Sequence, residues 1–199
     1  MASMDRDTEL SLVEGLRNGD PGAFDAVYEA YRARVFGFLV RLSRSRTVAE
    51  DLLDETWLRL VSAAARLRAD TRLLPWLFTV ARNLYWTYRR SSALEETVDP
   101  CTLALWPSRD GQASPFDVAA HHELQRRLER ALAQLSPRHR EVLLLVGGEG
   151  LTPSEAAIVC DLTPEALRQL LARARAALVR AMGVSAGGAR RGGTEHEAG

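Results

Sequence analysis

Five times in this chain a short polar residue and a proline open a stretch of helical character: Asp20-Pro21, Ser114-Pro115, Ser136-Pro137, Thr152-Pro153 and Thr163-Pro164. Each pair is a helix start for two separable reasons. The side-chain oxygen accepts a hydrogen bond from one of the backbone N–H groups left orphaned in the first turn, and proline at the first helical position lacks an N–H that would be orphaned anyway. No run of period two is present, so this punctuation predicts an all-α protein. After Asp20-Pro21, the residues Phe24, Val27, Tyr28, Tyr31, Val35, Phe38, Leu39 and Leu42 recur at helical spacing. Thr47 with Glu50 three residues on predicts a capping box, opening a helix with Val48, Leu52, Thr56, Leu60 and Val61 inward. A short polar break from Ala69 to Leu74 precedes a further helix.

These signals divide the chain into two small helical domains joined by an irregular linker. Residues 1–90 form the first domain, with its helices compact from about residue 8. Residues 91–115 lack a sustained period and contain Asp99-Pro100, Trp106-Pro107 and Asp110-Gly111, which reads as a linker. Residues 116–182 form the second domain, and the glycine- and alanine-rich tail 183–199, opening on a helix-stopping Gly183, reads as flexible.

Composition narrows the function classes. The 199 residues, 46% hydrophobic, are enough for one sizeable core or two small ones. Net charge is zero, yet the charges are segregated: Glu50, Asp51, Asp54 and Glu55 cluster without a basic neighbour, six arginines lie between Arg66 and Arg90, and six carboxylates follow between Ser91 and Glu123. Cys101 and Cys160 have no paired spacing, and neither they nor His121, His122, His139 and His196 form a metal-ligand or nucleophile pattern. No enzyme chemistry, metal, cofactor or small-molecule substrate is expected. The acidic N-terminus lacks the features of a signal peptide, and no apolar run is long enough for a membrane span, so a soluble cytoplasmic protein without membrane insertion is expected.

The segment Leu73 to Arg90 carries the first candidate site. At 100° per residue, Leu77, Val80, Ala81, Leu84 and Tyr88 fall in one stripe, with Thr79, Arg82, Asn83, Trp86, Arg89 and Arg90 opposite. An indole ringed by guanidinium and amide groups can stack on an unpaired base while the arginines hold flanking phosphates. Taken alone, the helix equally admits a second reading, in which Trp86 packs on a neighbouring element and the arginines are an ordinary solvated face.

The stretch from Thr152 to Met182 has the spacing of a helix-turn-helix. Ala157 falls where the two helices approach, Asp161 in the turn, and Leu167 on the core side of the second helix. That helix would project Glu165, Arg168, Gln169, Arg173 and Arg175 from its sides, with its N-terminal end suited to base edges in a major groove. Aspartate at the turn position, where positive φ is favoured, tolerates that conformation better than most residues.

Together these blocks resemble the extracytoplasmic-function (ECF) sigma factors, the promoter-recognition subunits of bacterial RNA polymerase. Ala49-Glu50-Asp51-Leu52-Leu53-Asp54-Glu55-Thr56-Trp57 resembles the polymerase-docking segment of region two. Pro75-Trp76-Leu77-Phe78-Thr79-Val80-Ala81-Arg82-Asn83-Leu84 resembles the promoter-opening helix, and Leu135-Ser136-Pro137-Arg138-His139-Arg140-Glu141-Val142 with the helix-turn-helix resembles region four.

The resemblance implies a factor that binds core polymerase at the largest-subunit clamp and the flap. Asp51, Asp54, Glu55 and Trp57 would lie at the clamp, with the alternative that Trp57 is partly core and the carboxylates merely cap the preceding helix. Arg66, Arg68, Arg72, Trp76, Thr79, Arg82, Asn83, Trp86, Arg89 and Arg90 would line the non-template single strand at the minus-ten element; Trp76 reads equally as core. Thr163, Arg168, Gln169, Arg173 and Arg175 would contact the duplex minus-thirty-five element. The linker would run through the polymerase interior or serve as a plain tether. A dedicated anti-sigma factor is also implied. The sequence departs from the family at Asp54, where glutamine is usual, at Leu170, where arginine is common, and in the flexible-looking Gly147-Gly148-Glu149-Gly150. Two alternatives are a sigma-like decoy that binds polymerase or an anti-sigma factor without initiating, and a dimeric helix-turn-helix repressor, which would leave the first domain unexplained.

Overall fold

The computed structural model describes residues 4–91 and 115–183, the side chains of the second stretch from residue 122. Regular structure among these residues is helical: α1 Arg6–Arg17, α2 Pro21–Ser43, α3 Arg46–Ala63, α4 Leu73–Ser91, α5 Pro115–Ala133, α6 Pro137–Leu143, α7 Pro153–Cys160 and α8 Pro164–Ala181, with a 3-10 turn at Ala64–Arg66. Asp20, Ser136, Thr152 and Thr163 each accept a first-turn backbone N–H, with proline at the start of the helix. Ser114 lies outside the described residues. Thr152 and Glu155 form a full capping box. The box expected at Thr47 is not formed: Ser45 caps α3, accepting from the Val48 N–H at 3.4 Å, and Glu50 instead pairs with Arg46 at 2.8 Å. The left-handed Arg44 (φ 62) ends α2 only two residues before α3, which moves the cap back to Ser45.

The first half is built on α2. Val27, Tyr31, Val35, Phe38, Leu39 and Leu42 are buried with Leu52 and Leu60 of α3 and Leu73, Leu77, Phe78, Ala81 and Tyr85 of α4. Phe38 and Phe78 meet edge to face, centroids 5.1 Å apart. Gly15 lets α1 lie close on α2, since a Cβ there would come within 2.6 Å of the Ala23 Cβ. Two inward expectations are corrected. Val61 is 58% exposed and Tyr88 is 40% exposed. On α4 the buried stripe is centred on Phe78, Ala81 and Tyr85, rotated from the expected one, because the helix is held on one side by α2 and α3 and on another by α7.

The second half wraps α8, with Val142, Leu145, Leu151, Ala156, Ala157, Leu167, Leu171 and Ala174 buried. Asp161 turns the chain in the left-handed region (φ 53, ψ 50), and the Leu162 N–H reaches the Ala157 carbonyl at 2.9 Å. After α6 the chain widens into a π turn, Leu144–Gly148, with the Glu149 N–H donating to the Leu144 carbonyl at 2.8 Å. This glycine-rich stretch is pinned rather than free, because Arg34 of α2 donates to the Glu149 carboxylate at 3.1 Å and to its carbonyl at 2.6 Å.

The two halves are docked, not merely tethered. Their buried apolar residues form one cluster, with α4 against α7 and the end of α2 against α6. Arg41 meets Glu129 at 3.0 Å with both side chains buried, and Arg72 meets Glu155 at 3.3 Å. Arg140, 2% exposed, donates to the Leu132, Ala133 and Leu135 carbonyls at the end of α5 and to the Leu42 carbonyl at the end of α2. A guanidinium suits this place because its fixed fork serves several acceptors at once and both helix ends carry negative partial charge.

Candidate nucleic-acid interface

Arg82 and Trp86 are four residues apart on α4 and therefore project from one side of it. That side is covered. Glu141 of α6, 1% exposed, accepts from Arg82 Nε at 2.8 Å and from Trp86 Nε1 at 2.8 Å through the same oxygen, Oε1. The Arg138 guanidinium carbon lies 5.3 Å from the Trp86 ring centroid, within range of a cation–π contact. The open face expected for this pair is thus occupied from within the chain. Asn83 is exposed and accepts from Arg82 at 3.0 Å, while Arg89 and Arg90 are exposed and bond to Tyr85 and Thr87.

The other residues of this set are spread around the base of α4. Arg66 and Arg68 are exposed, Arg68 pairing with Asp70 at 3.0 Å. Arg72 is drawn to Glu9 at 3.2 Å and to Glu155. Trp76 is half-buried against the core, and the Thr79 hydroxyl donates to the Pro75 carbonyl at 2.8 Å. Cys160, buried beside this seam, has its thiol pushed up to about 12, chiefly by burial, with Glu141 adding to it and Arg82 and Arg138 opposing.

The second surface, α8, is open. Arg168, Gln169, Arg173 and Arg175 are all exposed. Glu165 organises the first turn by accepting from Arg168 Nε and from Gln169 Nε2, each at 3.2 Å; those hydrogen bonds hold its own carboxyl below the ordinary range. Thr163 is the exposed N-cap, its oxygen accepting from the Ala166 N–H at 3.1 Å. Leu170 is half-buried against the core, which accounts for an apolar residue there.

The third surface, on α3, differs from expectation. Asp51 and Asp54 are exposed and Glu55 pairs with Arg59 at 2.6 Å. Trp57 is not a surface anchor: it is 6% exposed, packed on Tyr28 (centroids 4.9 Å apart) and Phe24 (6.1 Å), and its buried N–H has no partner among the described residues. The apolar residues on the outside are Leu58, 61% exposed, and Val61. Asp54, Leu58 and Val61 follow at four- and three-residue steps, one exposed stripe. That same spacing, read from the acidic residues instead of from the core, was the available signal.

Residues 27–95 match the model of sigma-70 region 2, and residues 125–178 that of sigma-70 region 4. The RNA polymerase sigma factor CarQ of Myxococcus xanthus is 34% identical over 159 residues, 78% of this chain and 87% of that protein. The ECF RNA polymerase sigma factor EcfG of Rhodopseudomonas palustris is 32% identical over 142 residues, 71% of this chain and 75% of that one. The chain belongs to the ECF sigma factors of the sigma-70 family. The sigma factor RpoE of Bartonella quintana, solved in complex with the anti-sigma factor NepR, shares its fold at a TM-score of 0.59 and 24% identity, over 80% of this chain and 94% of that one. In this ECF sigma factor the α3 and α4 surfaces fall inside the region 2 match and α8 inside the region 4 match, leaving α1 ahead of both. No helix among its described residues is long and apolar enough to cross a membrane.

Proposed function

We propose that this ECF sigma factor directs bacterial RNA polymerase to specific promoters, with α3, α4 and α8 dividing the work. The observation that carries the assignment within the chain is the Arg82–Trp86 pair on α4, flanked by Asn83, Arg89 and Arg90. A base drawn from the duplex stacks on the Trp86 indole while the guanidiniums hold its phosphates. Such stacking is worth roughly 1–3 kcal/mol per base, the scale of the unstacking it offsets. Arg66, Arg68, Arg72 and Thr79 extend the path of the non-template strand, and Trp76 supports it from the core side.

On α8, Arg168 forks onto guanine and Gln169 onto adenine in the major groove of the minus-thirty-five element, while Thr163, Arg173 and Arg175 take phosphates. On α3, Asp51, Asp54 and Glu55 meet basic residues of the polymerase clamp, Leu58 and Val61 supply the apolar contact, and Trp57 stiffens the helix from behind. Region four docks on the flap. The protein acts by binding alone, with no chemical step, cofactor or small-molecule substrate, and works in the cytoplasm. Restraint by an anti-sigma factor follows from the likeness to sigma factors solved in such complexes.

Run-off transcription with purified protein, sigma-free core polymerase and a promoter library tests the reading. Discrete transcripts are expected, and the combined Arg82→Ala and Trp86→Ala variant should lose melting while keeping core binding. Core binding without a transcript on any template would establish a decoy instead.

A further inference from the structure

Glu9 lies on α1, ahead of both family matches, and although acidic it is buried, 5% exposed. Its carboxylate serves the far end of the first half. Oε1 accepts the Leu73 N–H at 2.8 Å, and Oε2 meets Arg6 at 2.6 Å and Arg72 at 3.2 Å. Leu73 opens α4, and the residue before it, Arg72, has no acceptor with which to cap the helix. Glu9 therefore caps α4 from another helix, with a negative charge where the positive end of α4 favours one. Arg6, one turn earlier on α1, donates to the Asp70 carbonyl at 2.9 Å and to the Thr71 carbonyl at 3.4 Å. Resting on the sigma-factor reading above, we propose that Arg6 and Glu9 are positioning residues for the minus-ten strand: they set the loop 67–72, and with it the aim of the arginines at the mouth of α4.

Three observations beyond those bonds carry the proposal. The helix α1 is a fixed platform, because Val13 and Leu16 are buried in the core and α1 also packs on the Ala64–Arg66 turn that leads into the loop. The loop is closed on itself, since the Thr71 hydroxyl and N–H donate to the Arg68 carbonyl at 2.7 and 3.0 Å; its orientation is then fixed by what holds it from outside. And the restraint falls on the backbone while the cations stay available: Arg66 and Arg68 are exposed, and the Arg72 side chain keeps 54% of its surface open.

Neither Arg6 nor Glu9 needs to touch the strand. A loop ordered before binding loses little further freedom when it meets a ligand, so holding it from behind raises affinity without adding a contact.

The test uses holoenzyme assembled from the full chain and sigma-free core polymerase, with a dye-labelled single strand carrying the non-template minus-ten sequence of a promoter mapped by run-off transcription. Fluorescence anisotropy gives its affinity relative to a scrambled strand, and the same holoenzyme is titrated with duplex minus-thirty-five DNA. Wild type, Glu9→Ala, Glu9→Gln and Arg6→Ala are compared. Glu9→Ala should weaken strand capture by about tenfold, whereas Glu9→Gln, which keeps an acceptor for the Leu73 N–H, should stay within about twofold of the wild type. Arg6 is on the surface, so Arg6→Ala serves even if Glu9→Ala folds poorly; a loss of about threefold is expected from its two carbonyl bonds. Core binding and duplex affinity should not change in any variant. Parallel loss of strand, duplex and core binding would reduce both residues to general stability and overturn the proposal, as would unchanged strand capture in Arg6→Ala. Wild-type transcription reports separately on the sigma-factor reading: transcripts with unaltered strand capture in the variants sink the positioning role alone, and absence of wild-type transcripts sinks both.

Discussion

Arg140 and Glu141 are consecutive residues with opposite charge, both buried, and they reach partners on different helices. Arg140 is fixed by carbonyls at the ends of α5 and α2, Glu141 by donors on α4. Successive helical positions point about 100° apart, so two neighbours can serve two different walls of one cleft. Cys160 illustrates the consequence for reactivity. With its thiol pushed up to about 12, the buried group stays protonated at pH 8, and the thiolate is the reactive form. In a Cys101→Ser background, a thiol reagent such as DTNB should therefore leave the native protein unmodified at pH 8 and titrate one thiol per chain in denaturant. Rapid native labelling would mean that the α4–α7 seam opens readily.

At the level of elements, the seam is held by carboxylates that burial works against. Burial pushes the Glu149 carboxyl up from its ordinary 4.5, with Arg34 pulling it back, and Glu129 moves the same way, burial outweighing Arg41. A raised value means that the docked form binds the proton more tightly than the open chain does. The stability contributed is full below 4.5 and is lost as pH rises through the raised value. Thermal melts of the wild type and Glu149→Gln between pH 4.5 and 7 should show the variant gaining on the wild type as pH rises, whatever its constant offset. A difference that is flat or shrinks with pH would contradict the assignment. The Thr152–Glu155 box sits across this seam differently: burial pushes Glu155 up, but the Thr152 N–H and hydroxyl and Arg72 together hold it below its ordinary value.

For the whole molecule, a shared core has a thermodynamic signature. The buried residues of both halves form one cluster, and Arg41, Arg140 and Glu141 would each lose buried partners if the halves parted. Differential scanning calorimetry of the free protein should therefore give a single transition whose calorimetric and van't Hoff enthalpies agree. Two resolved endotherms would show the halves to be independent. The same docking leaves the arginines of α8 and the acidic, apolar-striped α3 open to solvent while Arg82 and Trp86 of α4 are covered.

What the sequence alone determined is what depends on near neighbours. Helix starts follow from a cap, a proline and an N–H two or three residues on, so Asp20, Ser136, Thr152 and Thr163 were legible, as was the left-handed turn at Asp161. The misplaced cap at Thr47 shows the limit even there, since a second competent oxygen at Ser45 lies closer to the end of α2. Which side of a helix is covered was decided only by tertiary structure. Trp57 turned inward and Leu58 outward because α3 packs on the aromatic residues of α2, and Tyr85 displaced Tyr88 from the core because α4 has neighbours on two sides. The closing of Arg82 and Trp86 by Glu141 joins residues more than fifty positions apart. No local period encodes such a pairing; it exists only once two separately legible halves have been folded against each other.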